Sequence, residues 1–461
     1  MISFIAALFQ IAILLVPSAV LMYQYVLFKQ GVRRKDSLFP IYDSQLPTLS
    51  VLVPTRGEKV EVIQGLLNNL SSVQWDKDRL EVVIVSDDSP EQFLYITKNL
   101  QIPPNLNVKI VRRERNVGYK SGALAHAFSI SKGELVITLD VDARLDKDSL
   151  VKAYNHMRAF GCDAVTMNWV GYTNNKHSTL AKGLAISTSI ADKSLLRGRD
   201  AIGLKIFPVG CGTMFSRRAI EEVGPWDPRM IQDDLEIGAR LLSKGKRVCS
   251  SSSSVYVEVP DNLVAFYVQQ TRWAMGSIEV LTRRFKEIMS KNLSVRQKID
   301  ILLFLLQYIP IALTFVAAAG LVITPLVIGK WYDYLESPLI LVWITALSLY
   351  GYNFIKQAKD LGLKTVEAFR ALGKISSYTV AISPFILIGL LSGLRRTRKY
   401  VVTPKGVKVT TWIQYPILFF GLAFISSSLI YFLHHSYITS LWLLYYSMGF
   451  LFTFFTFKRE L

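Results

Sequence analysis

Gln269-Gln270-Thr271-Arg272-Trp273 sets two carboxamides, a planar cation with five donors and a flat indole within about two helical turns. That set suits a phosphate group lying beside a sugar ring. The guanidinium would hold a diphosphate through paired, charge-assisted hydrogen bonds, while the indole packs against the C–H face of a pyranose. A purely structural reading also fits, because Phe266, Gln270, Trp273 and Ser277 fall at helical spacing, the pattern of an interfacial helix anchored by tryptophan.

Carboxylates recur upstream. In Asp140-Val141-Asp142, residues two apart in an extended segment point to one side, so both acids could offer oxygen ligands to Mg2+ or Mn2+ bridging to a diphosphate. An acidic turn at a strand end is the structural alternative. Ile231-Gln232-Asp233-Asp234-Leu235 leads into a helical stretch with Arg240, and Asp234 reads either as a general base for an attacking hydroxyl or as part of an amino-terminal cap. Gly210-Cys211-Gly212-Thr213 reads as a turn suited to close backbone approach. Glu58 in Pro54-Thr55-Arg56-Gly57-Glu58, and Asp87 and Asp88 in Ser86-Asp87-Asp88-Ser89-Pro90, follow apolar runs where a carboxylate can accept from a base edge or a ribose. Asp88, ahead of Ser89-Pro90, equally suits a helix start. Neither cluster carries a glycine-rich dinucleotide motif or a phosphate loop, which disfavours a dehydrogenase or an ATPase.

These residues need elements to hold them. Between about Thr48 and Val259, short apolar strands alternate with helical stretches, an α/β signature. Strands are expected at Leu49 to Val53, Leu80 to Val85, Val108 to Val111 and Leu135 to Leu139. Helices are expected at Val60 to Leu70, Pro90 to Leu100, Ser121 to Ser131 and Lys147 to Ala159. Ligands of such a sheet bind beyond the carboxyl ends of its strands, where the acids above fall.

The 461-residue chain is 51% hydrophobic, with long uncharged runs at Ile2 to Phe28, Ile301 to Gly329, Ser337 to Ile355, Ile375 to Leu394 and Val409 to Phe457. Each approaches the roughly 20 residues of a spanning helix, and the last is long enough for a hairpin. The first lacks a basic n-region and reads as an anchor rather than a cleaved signal. Basic flanks (Lys29, Arg33, Arg34 and Lys35; Lys356 and Lys359; Arg395, Arg396, Arg398 and Lys399) place those ends in the cytoplasm and the amino terminus outside. Ile375 to Leu394 is basic at both ends and is expected to be interfacial or re-entrant, with a bend at Pro384. Five spans with a cytoplasmic carboxyl terminus result, or six if this run crosses.

The net charge of +18 lies largely beside these runs, where it serves topology and contact with anionic lipid headgroups rather than nucleic acid. No acid lies inside an apolar run, which disfavours a pump, and His434 and His435 read as an outer loop. Cys162, Cys211 and Cys249 lack metal-ligand spacing and are expected to be free thiols.

The order Pro54-Thr55-Arg56-Gly57-Glu58, Asp87-Asp88, Lys120-Ser121-Gly122-Ala123-Leu124, Asp140-Val141-Asp142, Gln232-Asp233-Asp234 and Gln269 to Trp273 resembles the motifs of the membrane-embedded family 2 glycosyltransferases, the cellulose, hyaluronan and glucomannan synthases. Tyr400-Val401-Val402-Thr403-Pro404-Lys405 resembles their gating loop. The resemblance implies a GT-A (nucleotide-diphospho-sugar transferase) cytoplasmic domain joined to an α-helical multi-pass region in the cell membrane. The expected organisation is an anchor at 1–28, a linker at 29–47, the GT-A domain at 48–262, interfacial helices at 263–299, a transmembrane hairpin at 300–355, a segment with the gating loop at 356–408 and a second hairpin at 409–461.

It further implies inverting, metal-dependent transfer of a hexose from a UDP- or GDP-sugar to a growing polysaccharide, coupled to export, or a single transfer to a lipid or lipid-linked acceptor. Glu58, Asp87 and Asp88 would surround the nucleoside, with Lys120 and Asp140 towards the diphosphate and Asp142, with Asp140, on Mg2+ or Mn2+. Asp234 would be the base, Gln269 and Arg272 diphosphate contacts, Trp273 the acceptor platform, and Tyr400, Thr403 and Lys405 a closing loop. Gln232-Asp233 replaces the usual Thr-Glu before the base, Ala125 replaces a frequent Asn, and Tyr400 replaces Phe. One apolar run precedes the domain.

Overall fold

In the computed structural model, which describes residues 8, 10–34, 46–328, 338–395 and 412–460, the chain begins with a 23-residue helix, α1 (Ile11–Arg33). The apolar runs that follow become β1 (Leu49–Thr55), β2 (Leu80–Ser86), β3 (Asn107–Arg112) and β4 (Leu135–Thr138), parallel neighbours in the order β3-β2-β1-β4. β1, β2 and β4 are apolar on both faces because both are covered. Val51, Ile84 and Ile137 pack on one side, Leu52, Val83 and Val136 on the other.

The expected helices form within two residues of their expected ends as α2 (Val60–Ser72), α3 (Pro90–Asn99), α4 (Tyr119–Ile130) and α5 (Ser149–Phe160). α2 shows why: Ile63, Leu66, Leu67 and Leu70 recur at helical spacing and bury one face. α3 is capped by Ser89, whose hydroxyl accepts from the Gln92 amide at 3.2 Å.

Beyond β4 the sheet turns mixed. Short β5 (Arg144–Leu145) lies at its edge, and β6 (Ala164–Tyr172), β7 (Thr213–Ser216) and β8 (Val248–Glu258) complete the order β3-β2-β1-β4-β7-β6-β8-β5 among the described residues. β8 gives no apolar alternation because its centre is serine. Ser250, Ser251 and Ser253 are nonetheless buried, with Ser251 donating to the Thr166 carbonyl at 3.2 Å.

The thiol expectation is corrected here. Cys162 and Cys249 form a disulfide across 87 residues, Cα atoms 6.1 Å apart, while buried Cys211 is free. Parallel pairing of β6 with β8, which sets Val165 opposite Cys249, brings them together, and linear spacing does not reveal that. Closing so long a loop restricts the unfolded chain, so a reductant, or Cys162→Ser with Cys249→Ser, is expected to remove about 2–4 kcal/mol. A lower thermal midpoint of the detergent-solubilised protein reads this.

The helical half is tied to the sheet by close crossings. α6 (Thr179–Ala191) runs on through a π-helical stretch, Asp192–Gly198, against α1. There a Cβ on Gly31 would lie 1.8 Å from the Lys193 carbonyl oxygen, and one on Gly198 2.1 Å from that of Leu27. After α7 (Asp233–Ser243) comes α8 (Leu263–Arg283), then α9 (Val295–Leu305) and α10 (Ile309–Ile328), α11 (Leu339–Asp360), α12 (Thr365–Ala381) and α13 (Ser383–Arg395), and α14 (Gln414–Leu433) and α15 (Tyr437–Glu460). α13 meets α8 at glycines, where a Cβ on Gly389 or Gly393 would lie 2.8 or 2.5 Å from the carbonyl oxygens of Thr271 and Met275.

Among the described residues four helices are long and apolar enough to cross a membrane: Ile11–Arg33, Leu339–Asp360, Gln414–Leu433 and Tyr437–Phe457. α9 with α10, and α12 with α13, form two pairs bent by 52°, giving up to six if each is one span. The second bend falls at Ser383-Pro384, within the run basic at both ends.

Candidate active site

Gly57 turns the chain after β1 with φ +72°, and Asp88 holds that turn. Its carboxylate accepts from the Gly57 amide at 2.5 Å and from the Ser86 hydroxyl at 2.8 Å. Asp88 is buried and does not line the cavity described below, so its geometry is that of a support beneath Glu58. Asp87 points the other way, into the cavity. Arg113, just past the end of β3, clamps it with two bonds of 2.7 and 2.6 Å and also donates to the carbonyls of Val117 and Tyr119. The sequence reading missed Arg113, although the strand-end rule that found Asp87 applies to it equally.

The loop fixed by Arg113 delivers Lys120 in the first turn of α4. Gly118 (φ +75°) makes this possible, since a Cβ there would sit 2.3 Å from that of Pro228. Lys120 Nζ donates to Asp140 at 2.8 Å and to the Gly210 carbonyl at 3.0 Å, and stands 3.8 Å from Asp233. Asp140 and Asp142 leave β4 on the same cavity wall, with Asp142 buried and its carbonyl accepting from Tyr172 at 2.6 Å.

Asp233 and Asp234 open α7 opposite. Burial pushes Asp233 up to about 7, opposed by the Lys120 charge and reinforced by the neighbouring carboxylates of Asp234 and Asp140. Burial raises Asp234 as well, again against Lys120. Arg240 pairs with Glu236 at 2.7 Å and not with Asp234.

α8 brings Gln269, Arg272 and Trp273 to the same space and is keyed to the loop before Asp233. Buried Glu279 accepts from the Ile231 amide at 2.9 Å, and a Cβ on Gly276 would lie 2.7 Å from the Cβ of Gln232. Glu279→Ala is therefore expected to lower kcat about tenfold or more with little change in donor KM, because the paired acids shift relative to α8. Glu279→Gln, which keeps an acceptor, should restore most of it; steady-state kinetics of the three proteins decide.

A single cavity of about 850 Å³ gathers Glu58, Asp87, Lys120, Asp140, Asp142, Asp234, Gln269, Arg272 and Trp273. Asp88 is the described candidate left out. Tyr400, Thr403 and Lys405 lie outside the described residues. The cavity also takes in Trp169, whose indole N–H donates to the Cys211 carbonyl at 2.7 Å, and Tyr308, which donates to Gln270 at 3.1 Å. It runs on from Trp273 between the apolar helices.

Among the described residues no three His, Cys, Asp or Glu side chains cluster as a complete metal cage. Asp140 and Asp142 instead offer two hard oxygen donors on a wall shared with Lys120, which fits an Mg2+ or Mn2+ ion completed by substrate phosphates and water.

Residues 135–356 match the model for "Glycosyl transferase family group 2". A Sulfolobus acidocaldarius protein named "Probable glycosyltransferase" is 44% identical over 451 residues, 96% of this chain and 97% of that one. A "Beta-monoglucosyldiacylglycerol synthase" of Trichormus variabilis is 28% identical over 57% of this chain and 55% of its own. A "Poly-beta-1,6-N-acetyl-D-glucosamine synthase" of Staphylococcus aureus is 27% identical over 57% and 62%. Among solved structures, the mannosyltransferase PcManGT from Pyrobaculum calidifontis, in complex with GDP-Man and Mn2+, superimposes with a TM-score of 0.53 at 19% identity, covering 80% of this chain and 98% of that one. That likeness carries the GT-A fold, and the near full-length relative together with the family match shows that the chain is a glycosyltransferase belonging to glycosyl transferase family group 2.

Proposed function

We propose that the protein moves a hexose, with inversion, from a UDP- or GDP-sugar to the hydroxyl of an acceptor held in the membrane. The observation behind this is the single cavity in which cations and paired acids meet at one end and apolar helices line the other. The acceptor oxygen attacks the anomeric carbon while Asp234 takes its proton. The bond from that carbon to the diphosphate breaks, and the electron pair leaves with the nucleoside diphosphate. Lys120 and Arg272 stabilise the charge gathering on the leaving group, Asp87 and Glu58 face the nucleoside, and Trp273 carries the acceptor. Mg2+ or Mn2+, held by Asp140 and Asp142, would add neutralisation of the diphosphate.

In this reading the catalytic domain faces the cytoplasm and the apolar helices form a multi-pass region, which the basic flanks of the apolar runs support. The cellulose- and hyaluronan-synthase resemblance favours a growing polysaccharide exported through that region. The relatives named for a glucosyldiacylglycerol and for a poly-N-acetylglucosamine stand on either side of the acceptor question.

Nucleoside diphosphate release by the reconstituted protein, across UDP- and GDP-sugars, tests the transferase. Chelation with EDTA is expected to lower it at least tenfold, with recovery on adding Mn2+ or Mg2+. No release with any donor would overturn the reading.

A further inference from the structure

The turn that offers Asp140 and Asp142 is fixed by more bonds than an acidic turn at a strand end needs. Its successive carbonyls, from Asp140 to Ala143, each accept from a donor. The Ala143 amide closes onto the Asp140 carbonyl at 3.0 Å. Arg144 Nη1 donates to the Val141 and Ala143 carbonyls at 3.2 and 2.7 Å. The Tyr172 hydroxyl takes the carbonyl between them, that of Asp142, at 2.6 Å. At the head of the turn the Asp140 amide donates to Cys211 Sγ at 3.3 Å. A Ca2+ loop closes on its cation partly through backbone carbonyls. Here the backbone is engaged from behind, and what the turn presents to the cavity is its side chains.

The surrounding elements are shaped for those bonds. The guanidinium of Arg144 lies against α2, where Nη2 donates to the Val62 carbonyl at 3.3 Å. A Cβ on Gly65 would sit 2.3 Å from that Nη2, so a larger residue there displaces the guanidinium. Glycine inside a helix lowers its stability, and at Gly65 what it admits is Arg144. Asn69, one turn further along the same face, exchanges bonds of 2.9 and 2.8 Å with the Leu145 carbonyl and amide. From the other side, β5 pairs with β8, which sets Arg144 opposite Tyr256, and Tyr172 ends β6. Neither Arg144 nor Tyr172 lines the cavity, so each reaches it only through the turn it holds.

From this we infer that Arg144 and Tyr172 are positioning residues for a divalent cation, holding the backbone of the turn so that the Asp140 and Asp142 carboxylates share one wall of the cavity. The inference rests on the transferase reading above, in which these two acids hold Mg2+ or Mn2+, and adds the residues that fix them. Groups that orient metal ligands in this way typically change metal affinity by about 10–100-fold.

The test measures Mn2+ binding to the full-length, detergent-solubilised protein with UDP or GDP present. The electron paramagnetic resonance signal of free Mn2+ reads it, after subtraction of what the nucleotide alone binds. Nucleoside diphosphate release is followed in parallel as Mn2+ is raised. Tyr172→Phe keeps the ring and removes only the donor. Gly65→Ala displaces the Arg144 guanidinium while giving α2 a better helix former. Each is expected to weaken Mn2+ binding about tenfold and to raise the Mn2+ needed for half-maximal release to match. The rate at saturating Mn2+ and the donor KM should stay nearly unchanged. A merely structural role would instead lower the thermal midpoint and the rate together, with the Mn2+ dependence unmoved. Mn2+ binding equal to the wild type in both variants would overturn the inference, as would a wild type that binds no Mn2+ beyond the nucleotide's share. Release indifferent to EDTA and to both variants would remove the cation, and the inference with it, while leaving the transferase. Weakened Mn2+ binding in the variants, without release from any donor, would uphold the positioning role and remove the transferase reading instead.

Discussion

Asp234→Asn is expected to lower kcat about 10³-fold while leaving the fold and donor affinity nearly unchanged. The substitution is nearly isosteric. The amide oxygen can still accept from the Leu235 amide, as the carboxylate does at 2.8 Å, so the start of α7 is kept. What it cannot do is take the acceptor proton. Donor titration and thermal midpoint separate this from a folding defect, and nucleoside diphosphate release under saturating donor reads the loss. The pH profile adds a second check. Burial raises the folded-state pKa of Asp234, and a base works only when ionised, so the wild-type rate should fall as pH drops through a limb above the usual carboxylate value of about 4. The residual activity of the Asn variant should lack that limb. An unchanged kcat would transfer the base to another residue, with Asp233 the nearest candidate.

Asp300→Ala carries the other large expected effect, on stability. Arg199 and Asp300 are each 2% exposed and form an ion pair at 3.2 Å, with the Tyr23 hydroxyl donating to the same carboxylate oxygen and the guanidinium 4.3 Å from the Phe304 ring. This knot joins α1, the end of the π-helical stretch and α9. Removing the carboxylate leaves a buried guanidinium without its counter-ion, for which about 3–5 kcal/mol is expected. Arg199→Met combined with Asp300→Leu should recover most of the loss, because a buried pair contributes little over an apolar replacement of similar volume. Thermal unfolding of the three proteins in one detergent decides. Equal losses in the single and double variants would show that packing, not charge, is responsible.

The parallel half of the sheet was readable because β1, β2 and β4 are buried on both faces and so appear as apolar runs. The mixed half was not: β8 hides its strand character behind serines, of which Ser251 is bonded inside the protein, and β5 is two residues long. At the site, residue types with chemical capacity could be listed, but their direction could not. Asp87 and Asp88 are adjacent in sequence, yet one faces the cavity and the other turns inward to hold Gly57, a choice set by the Gly57 turn and by Arg113. Arg113 itself lies in a charged stretch, Arg112-Arg113-Glu114-Arg115, where nothing distinguishes it until β3 is placed beside β2. The disulfide was likewise hidden in strand pairing.

α8 has no loose side. One flank seats the loop of the paired acids through Glu279 and Gly276; the other is pressed on α13 at Gly389 and Gly393. The helix thus works as a keystone, and the loop of the paired acids and the bundle of apolar helices are held as one mechanical body. A fragment cut after residue 262 would retain the sheet but lose Gln269, Arg272 and Trp273, the proposed substrate contacts, and Glu279, which holds the loop before Asp233. Conversely, any force that tilts α13 against its neighbours reaches the distance between Arg272 and Asp234 without passing through a hinge.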